Sequence, residues 1–194
     1  MQLIKKTIFL TLLVITVLSG CQNSGRKDLP VVAKSELELR ANEGLYYHHG
    51  EVFTGIAQLY NVHGTLVEEV TMSKGKRHGV RKKWYDHAQI SYEATYEAGK
   101  LDGISRTWWP NGKLRSESNF EEGVVNGTQK QWYKSGVLFK ELHMVNGKEE
   151  GMQKAWRENG KIYNNYEARN GRIYGLKRAS LCYELDNEEV QYAD

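Results

Sequence analysis

The sequence predicts an all-β fold, an elongated single-layer antiparallel meander of tandem β-hairpins that are 24 residues long. Three observations predict it: glycine recurs every 24 residues, aromatic and aliphatic residues keep the same period, and each unit carries two turn signals. A period of this length is typical of repeat proteins, in which one unit is a supersecondary element that its neighbours stabilise. A repeat array therefore accounts for most of the 194 residues.

The 24-residue period is kept by several residue types at once. Glycine occupies one register at Gly55, Gly79, Gly103, Gly127, Gly151 and Gly175, and a second at Gly75, Gly99, Gly123, Gly147 and Gly171. Aromatic residues occupy another at Tyr60, Trp84, Trp108, Trp132 and Trp156, followed by the aliphatic register Leu66, Ile90, Leu114, Leu138 and Ile162. Glutamate recurs at Glu69, Glu93, Glu117 and Glu141.

Each unit contains two turn signals that separate stretches of strand-like sequence. One is a Gly-x-x-x-Gly link, such as GKLDG, and the other is a polar turn, such as PNGK. Asn111-Gly112 is a strong hairpin signal because both residue types accept a positive φ. Between the turns the residues alternate, with Val80 and Lys82 on one face and Arg81 and Lys83 on the other. Period two with aromatic and β-branched residues predicts strands.

The two ends of the array are expected to differ from its middle, because terminal repeats lack a neighbour. We assign residues 35–176 to the array and residues 177–194 to a C-terminal cap or tail. In the segment SELELRANEG, Leu37 and Leu39 alternate as in a strand, whereas Ser35 and Glu38 also fit a helix capping box. We favour the strand.

The N-terminus has the features of a bacterial lipoprotein signal. Residues 1–20 comprise a basic start with Lys5 and Lys6 and an apolar run of 12 residues, Thr7–Leu18. That run is shorter than the roughly 20 residues that span a bilayer, and it fits a secretory signal. Leu-Ser-Gly-Cys at 18–21 resembles the lipobox, and the resemblance implies that the Cys21 thiol receives a diacylglycerol. Residues 21–34 are then a lipidated cysteine and a flexible tether.

Charge and cysteine content exclude two classes of protein. Two of the 27 lysines and arginines lie in the first twenty residues, and the other 25 nearly balance the 24 acidic residues. The global basic footprint of a nucleic-acid-binding protein is therefore absent. Because Cys21 is the predicted lipid site, Cys182 is left without a partner, which excludes a disulfide-stapled monomer. Cys182 is interpreted as a half-buried apolar side chain, with a reactive thiol or an intermolecular disulfide partner as the alternatives.

Units such as YEAGKLDGISRTWWPNGKLRSESN resemble the MORN repeat in its longer 24-residue variant. This variant occurs in the bacterial YwqK-type family, whose members are often described as antitoxins. The resemblance covers about residues 44–176 and rests on the Gly-x-x-x-Gly link, the Trp-Tyr pair and the Asn-Gly-Lys-Leu turn. It implies a single-layer twisted sheet that binds proteins, membranes or a partner toxin, and it brings no catalytic residue.

Two surfaces are candidates for binding. The first is the ladder of Trp84, Trp108, Trp132 and Trp156. The alternative is that these residues are structural, because each aromatic side chain buries about 150–250 Å² and a one-layer sheet has few other ways to bury apolar surface. The second is the segment 74–85, whose basic residues include Lys76, Arg77, Arg81, Lys82 and Lys83. Anionic lipid head groups or an acidic protein are its expected partners. The alternative is a solvated strand whose charges point to both faces.

The sequence offers little support for catalysis or metal binding. His63 and His87 lie one repeat apart, about 10 Å in a sheet, which is too far to share a zinc ion. The glutamate register marginally misses the spacing of paired glycosidase carboxylates, and we interpret it as pairing with strand lysines and arginines. No cofactor loop follows a βαβ pattern. We therefore expect a protein that is not an enzyme and that has no cofactor.

The sequence thus predicts a membrane-anchored, non-catalytic protein-interaction or scaffold module of the bacterial cell envelope, with an unidentified protein partner. One alternative is an antitoxin or immunity protein that neutralises a partner toxin. Another is a protein that binds anionic lipid or glycan directly. Gln22 after the cysteine resembles an outer-membrane address in the enterobacterial rule, and the side of that membrane, periplasmic or surface, is left open.

Overall fold

A computed structural model describes residues 29–176 of the chain, and they form a β-meander. The strands are β1 (Val31–Ala33), β2 (Glu38–Arg40), β3 (Leu45–His48), β4 (Glu51–Val52), β5 (Gly55–Tyr60), β6 (Leu66–Ser73), β7 (Lys76–Trp84), β8 (Ile90–Glu97), β9 (Lys100–Trp108), β10 (Leu114–Glu121), β11 (Val124–Val125), β12 (Gly127–Trp132), β13 (Leu138–Val145), β14 (Lys148–Glu149), β15 (Gly151–Trp156), β16 (Ile162–Arg169) and β17 (Arg172–Leu176). The signal segment, Cys21 and the cap at 177–194 lie outside the described residues, as does Cys182. Within residues 29–176, no helix is long and apolar enough to cross a membrane.

The predicted fold class is confirmed. Fourteen strands form one sheet in the order β1-β5-β6-β7-β8-β9-β10-β12-β13-β15-β16-β17, with the short β11 and β14 pairing with β10 and β13. From β5 onward every pairing is antiparallel, and neighbours in the sheet follow one another along the chain. β1 is the exception because it pairs in parallel with β5. It covers the open backbone edge at which the array begins.

The N-terminal end of the array differs from the prediction at two places. Residues 31–33, which the sequence assigns to the tether, form β1 in the main sheet. Lys34–Glu36 form a short 3-10 helix without a side-chain cap, and the predicted strand follows it as β2. β2, β3 and β4 form a separate three-stranded sheet. These pieces bury the apolar cluster of Phe53, Ala57, Val70 and Met72, against which Val32, Leu37 and Tyr46 pack.

Two-residue turns connect the strands at the first glycine of each Gly-x-x-x-Gly link. Both residues of each turn have a positive φ, for example 47° at Ala98 and 92° at Gly99. This is the type I′ turn, whose twist matches that of the flanking strands. The glycine N–H also bonds to the strand that follows the preceding tight turn, since Gly99 donates to the carbonyl of Arg77 in β7 (2.8 Å) and Gly123 to that of Leu101 in β9 (2.7 Å). Successive tight turns are therefore hydrogen-bonded along one edge of the array.

The polar turns are hairpins as predicted, but their geometry differs from the expected one. Only the glycine of the Asn111-Gly112 pair has a positive φ, at 80°. The Gly112 N–H donates to the Trp109 carbonyl, and the Trp109 N–H donates to that of Lys113. This is a type I turn followed by a glycine bulge. The Asn111 side chain instead accepts the Lys113 N–H (3.2 Å), which explains why asparagine suits this position.

The tight turns predict a stabilising substitution at Ala98. This alanine holds the left-handed conformation at a turn position where Asn146 and Asn170 stand in later repeats. Left-handed backbone costs a residue with an ordinary side chain about 1–2 kcal/mol, and asparagine tolerates it. We expect Ala98→Asn to raise the free energy of unfolding by about 1 kcal/mol, measured by denaturant titration. Asn146→Ala is the matched reverse change and should lower it by a similar amount; an unchanged stability in both variants would contradict the turn assignment.

Candidate interaction surface

The strand register divides the array into two faces of different character. One face, here called the inner face, carries Ala57, Val70, Arg81, Ala94 and Ser105 on successive strands. It includes the apolar cluster of the N-terminal end. The opposite face, here called the ladder face, carries the residues next to these along each strand. Only predicted site residues that share one of these faces can act together.

The centre of the ladder face is a row of charges that alternate in sign from strand to strand. The row, here called the charge ladder, consists of directly paired residues, in order Gln58, Glu69, Lys82, Glu93, Arg106, Glu117, Lys130, Glu141, Lys154 and Asn165. Opposite charges that face each other across neighbouring strands stabilise a sheet by about 0.2–1 kcal/mol a pair. The predicted pairing of the glutamate register with basic strand residues is therefore what the structure contains.

Side-chain contacts between ladder residues occur in four successive hairpins. The N–O distance is 2.7 Å between Arg106 and Glu117, 3.3 Å between Lys82 and Glu93, and 3.5 Å between Lys130 and Glu141. At the N-terminal end the Gln58 amide donates to Glu69 at 2.7 Å. Because each carboxylate lies between two donors, the glutamate register is committed to the sheet and no two of its members converge on a substrate.

The predicted basic segment is split by the sheet. Arg77, Arg81 and Lys83 lie on the inner face, opposite Met72, Val70 and Glu68 respectively. Lys82 lies on the ladder face as a member of the charge ladder, and Lys76 is exposed beside the tight turn. The five basic residues therefore form two groups rather than one patch. Their role in binding stays a prediction.

Arg81 is engaged inside the protein. Its guanidinium contacts Glu68 at 2.8 Å, and Lys34 contacts the other oxygen of the same carboxylate at 2.7 Å. Burial alone would raise the pKa of Glu68, but the hydrogen bond from Lys34 and the charge of Arg81 outweigh it and leave the pKa below its ordinary value. The carboxylate is thus ionised at neutral pH. This triad joins the N-terminal 3-10 helix to strands β6 and β7.

Two tyrosines lie beside the inner-face cations. The Arg77 guanidinium lies 5.6 Å from the ring centre of Tyr96, and that of Arg81 lies 5.7 Å from the ring centre of Tyr92. The two hydroxyls are 3.0 Å apart. Burial and the hydrogen bond to Tyr96 raise the pKa of Tyr92 to about 12, so it stays protonated. Arg77, Arg81, Lys83, Tyr92 and Tyr96 form what is here called the cationic strip.

The tryptophan ladder packs within its own hairpins. Each member is half-buried and is paired across the strands with the aliphatic register, as Trp84 with Ile90, Trp108 with Leu114, Trp132 with Leu138 and Trp156 with Ile162. In every case a β-bulge lies directly beside this tryptophan–aliphatic pair, at the same place in each repeat. The tryptophan ladder therefore supplies the apolar contact beside each polar turn. Its use as a binding platform stays a prediction.

The residues that follow the ladder tryptophans connect one repeat to the next. The Tyr85 hydroxyl donates to the carbonyl of Trp108 (2.7 Å), and the Trp109 indole N–H donates to that of Trp132 (3.1 Å). The Tyr133 hydroxyl donates to the carbonyl of Trp156 (2.9 Å). The Trp-Tyr pair is visible in the sequence, but no role was predicted for it. The 24-residue spacing of these donors was the signal that could have revealed it.

Metal and catalytic sites find no support in the part of the chain that the structure describes. No group of three or more histidine, cysteine, aspartate or glutamate side chains there could hold a metal ion. The histidines have other neighbours: His87 stacks on Tyr85 at 5.6 Å, and His78 lies 3.3 Å from Glu97. The charged residues of the described region lie along the two faces of an extended sheet, an arrangement that suits binding.

Comparison with known proteins supports this view of the repeats. A family model described as "MORN repeat variant" matches residues 101–122 and 125–146. These two segments are MORN repeats of the variant type. They coincide with the β9–β10 hairpin and with the segment from β11 to β13. MORN repeats are generally interaction modules for proteins and lipids and are not enzymes. No curated protein matches the chain.

The repeat-to-repeat hydrogen bonds predict the effect of removing one hydroxyl. Tyr85→Phe removes the hydroxyl that donates to the Trp108 carbonyl, so that this half-buried carbonyl loses its hydrogen bond from the neighbouring repeat. We expect the free energy of unfolding to fall by about 1 kcal/mol, measured by denaturant titration. Tyr60→Phe is the control, because Tyr60 is 50% exposed and bonds only within its own strand, to Gln58. Equal losses in the two variants would contradict a role in joining repeats.

Proposed function

We propose that this protein is a lipid-anchored, non-catalytic interaction module of the bacterial cell envelope, which binds an acidic protein surface through the cationic strip. One observation carries the proposal: between β7 and β13 the charges of the inner face are all positive. Arg77, Arg81, Lys83 and Lys140 lie on that face, and the glutamates of these strands lie on the ladder face.

The balance of charge on the two faces supports an acidic partner. On the ladder face each cation has a glutamate in the neighbouring strand, so that face is close to neutral. On the inner face Glu68 is the one carboxylate for several cations: it contacts Lys34 and Arg81 and lies opposite Lys83. Arg77 lies opposite Met72. A surface with uncompensated charge attracts a partner of the opposite sign and accelerates encounter with it. Tyrosine and arginine are also the residues that interfaces favour.

The anchor follows from the signal at the N-terminus. Acyl chains stabilise membrane attachment by about 0.8 kcal/mol for each buried methylene, and stable attachment needs about two chains. Lipidation of Cys21 would meet that need. Val31–Ala33 begin the sheet ten residues after this cysteine, so the array would lie close to the membrane. Confinement to a surface raises the effective concentration of a module towards partners on the same membrane.

A crosslinked pull-down from envelope membranes tests the proposal. The tagged, lipidated protein is compared with Lys83→Glu, which reverses one charge of the cationic strip, and with Lys76→Glu, which makes the same change outside the strip. We expect one stoichiometric protein to be captured by the parent and by Lys76→Glu, and to be reduced at least about tenfold with Lys83→Glu. Arg81 is left unchanged because its replacement would leave buried Glu68 poorly paired.

The control and the contrary outcomes separate the alternatives. Cys21→Ser should move the protein out of the membrane fraction, which tests the anchor independently of the partner. Equal capture by Lys83→Glu and the parent would contradict the cationic strip as the contact surface. Capture of no specific protein, together with salt-sensitive binding of the unlipidated chain to anionic vesicles, would favour a lipid-binding protein. A captured toxin whose activity is neutralised would identify an antitoxin.

A further inference from the structure

The charge ladder has a symmetry that its role within one chain does not require. Its ten rungs begin with the amide Gln58, continue with four Glu–cation pairs, and end with the amide Asn165. Reading the ladder backwards exchanges every negative rung for a positive one and every amide for an amide. A surface with this property is electrostatically complementary to itself when it is turned by 180° about an axis parallel to the strands.

A twofold axis parallel to the strands, between β9 and β10, applies this symmetry to two copies of the chain. Each charged rung then faces a rung of opposite sign: Glu69 faces Lys154, Lys82 faces Glu141, Glu93 faces Lys130 and Arg106 faces Glu117 of the second copy. Every carboxylate gains one further cationic neighbour, besides two in its own sheet for Glu93, Glu117 and Glu141 and one, Lys82, for Glu69. The added neighbour compensates for the water that the charges lose.

The ladder face also carries a row of aliphatic side chains beside the charge ladder, most of them exposed. They keep the 24-residue period at Ile56, Val80, Ile104 and Met152, with Thr128 filling the gap. Val80, Ile104 and Met152 are 42%, 44% and 41% exposed. The same axis places Val80 opposite His143 and Ile104 opposite Asn119 of the second copy, so the contact removes these aliphatic side chains from water.

The size of the face is sufficient for a stable pair. With a strand spacing of about 4.8 Å, ten rungs extend over roughly 45 Å, and six residues of a strand extend over roughly 20 Å. The contact would then bury roughly 900 Å² on each copy. A standard protein–protein interface buries about 800 Å² on each partner. Two sheets with the same twist pack face to face about 10 Å apart, as in β-sandwiches.

We propose that the ladder face is a docking surface for a second copy of this chain, in an antiparallel arrangement that the charge ladder sets. The register is fixed because a shift by one rung, or a parallel arrangement, opposes like charges along the whole row. The dimer leaves both inner faces outward, so each cationic strip stays available. This proposal does not depend on the identity of any other partner.

A charge exchange at the two ends of the ladder tests the register. Glu69→Lys places like charges opposite Lys154 of the second copy, and Lys154→Glu does the same with Glu69. Each single change should weaken dimerisation of the full-length protein in detergent at least about tenfold, measured by sedimentation. The double variant restores opposite charges between copies while keeping both unfavourable changes within each sheet. We expect it to dimerise as the parent does.

The outcomes are distinguishable from a loss of folding. Thermal unfolding of all four proteins shows whether the singles are folded, and Lys83→Glu on the inner face is the control that should dimerise normally. A parent that is monomeric up to the highest concentration reached would overturn the proposal. A dimer that the double variant fails to rescue would overturn the antiparallel register.

A crosslinking experiment examines the same register without changing a charge. Thr95 and Thr128 lie on the ladder face, and the axis places Thr95 opposite Thr128 of the second copy. Chains with Cys182→Ser and either Thr95→Cys or Thr128→Cys are mixed and treated with a thiol crosslinker spanning about 10 Å, the separation of two packed sheets. Crosslinked dimers are expected in the mixture and not with either chain alone. Equal crosslinking in all three samples would contradict the arrangement.

Discussion

A one-layer sheet has no second layer against which to bury a core, and this constraint governs the whole molecule. The described core cluster is confined to the N-terminal end, where Phe53, Ala57, Val70 and Met72 pack under the first strands. Beyond it, each hairpin is stabilised by the hairpin on either side. Since an isolated hairpin is marginal in water, contacts between neighbouring strands and repeats carry the stability of the array.

The 24-residue period is the means by which these contacts recur. Neighbouring residues of the charge ladder are 13 positions apart where a tight turn joins their strands, as Glu69 and Lys82 are. They are 11 positions apart where a polar turn joins them, as Lys82 and Glu93 are. The β-bulges in each repeat adjust the register so that both steps return to the same face. The tight turns and the Tyr85-type hydrogen bonds connect repeats at the two ends of the strands. The 24-residue period thus repeats three kinds of contact along the array: the charge ladder in the middle of the strands, the tight-turn bonds at one end and the Tyr85-type bonds at the other.

The sequence predicted the fold because the glycine, aromatic and glutamate registers share one 24-residue period, and because residues between the turns alternate between the two faces of a strand. It did not predict how the two turns differ, since Gly-x-x-x-Gly and Asn-Gly both accept a positive φ. The candidate surface was predicted only in part. The basic residues of segment 74–85 were identified, and their alternation already placed Lys82 on one face and Arg81 and Lys83 on the other, as the structure has them. The burial of Arg81 depends on Glu68 and Lys34, which are distant in sequence.

Hydrogen exchange of the backbone amides tests most directly whether neighbours rather than a core stabilise the array. Strands β9, β10 and β12 lie outside the described core cluster, and each has a paired strand on both sides. We expect their amides to be strongly protected, to an extent comparable with those of β6 and β7 beside the cluster. If the amides of β9 to β12 exchange nearly as fast as in an unfolded chain while β6 and β7 remain protected, the claim that pairing between repeats holds the sheet is contradicted.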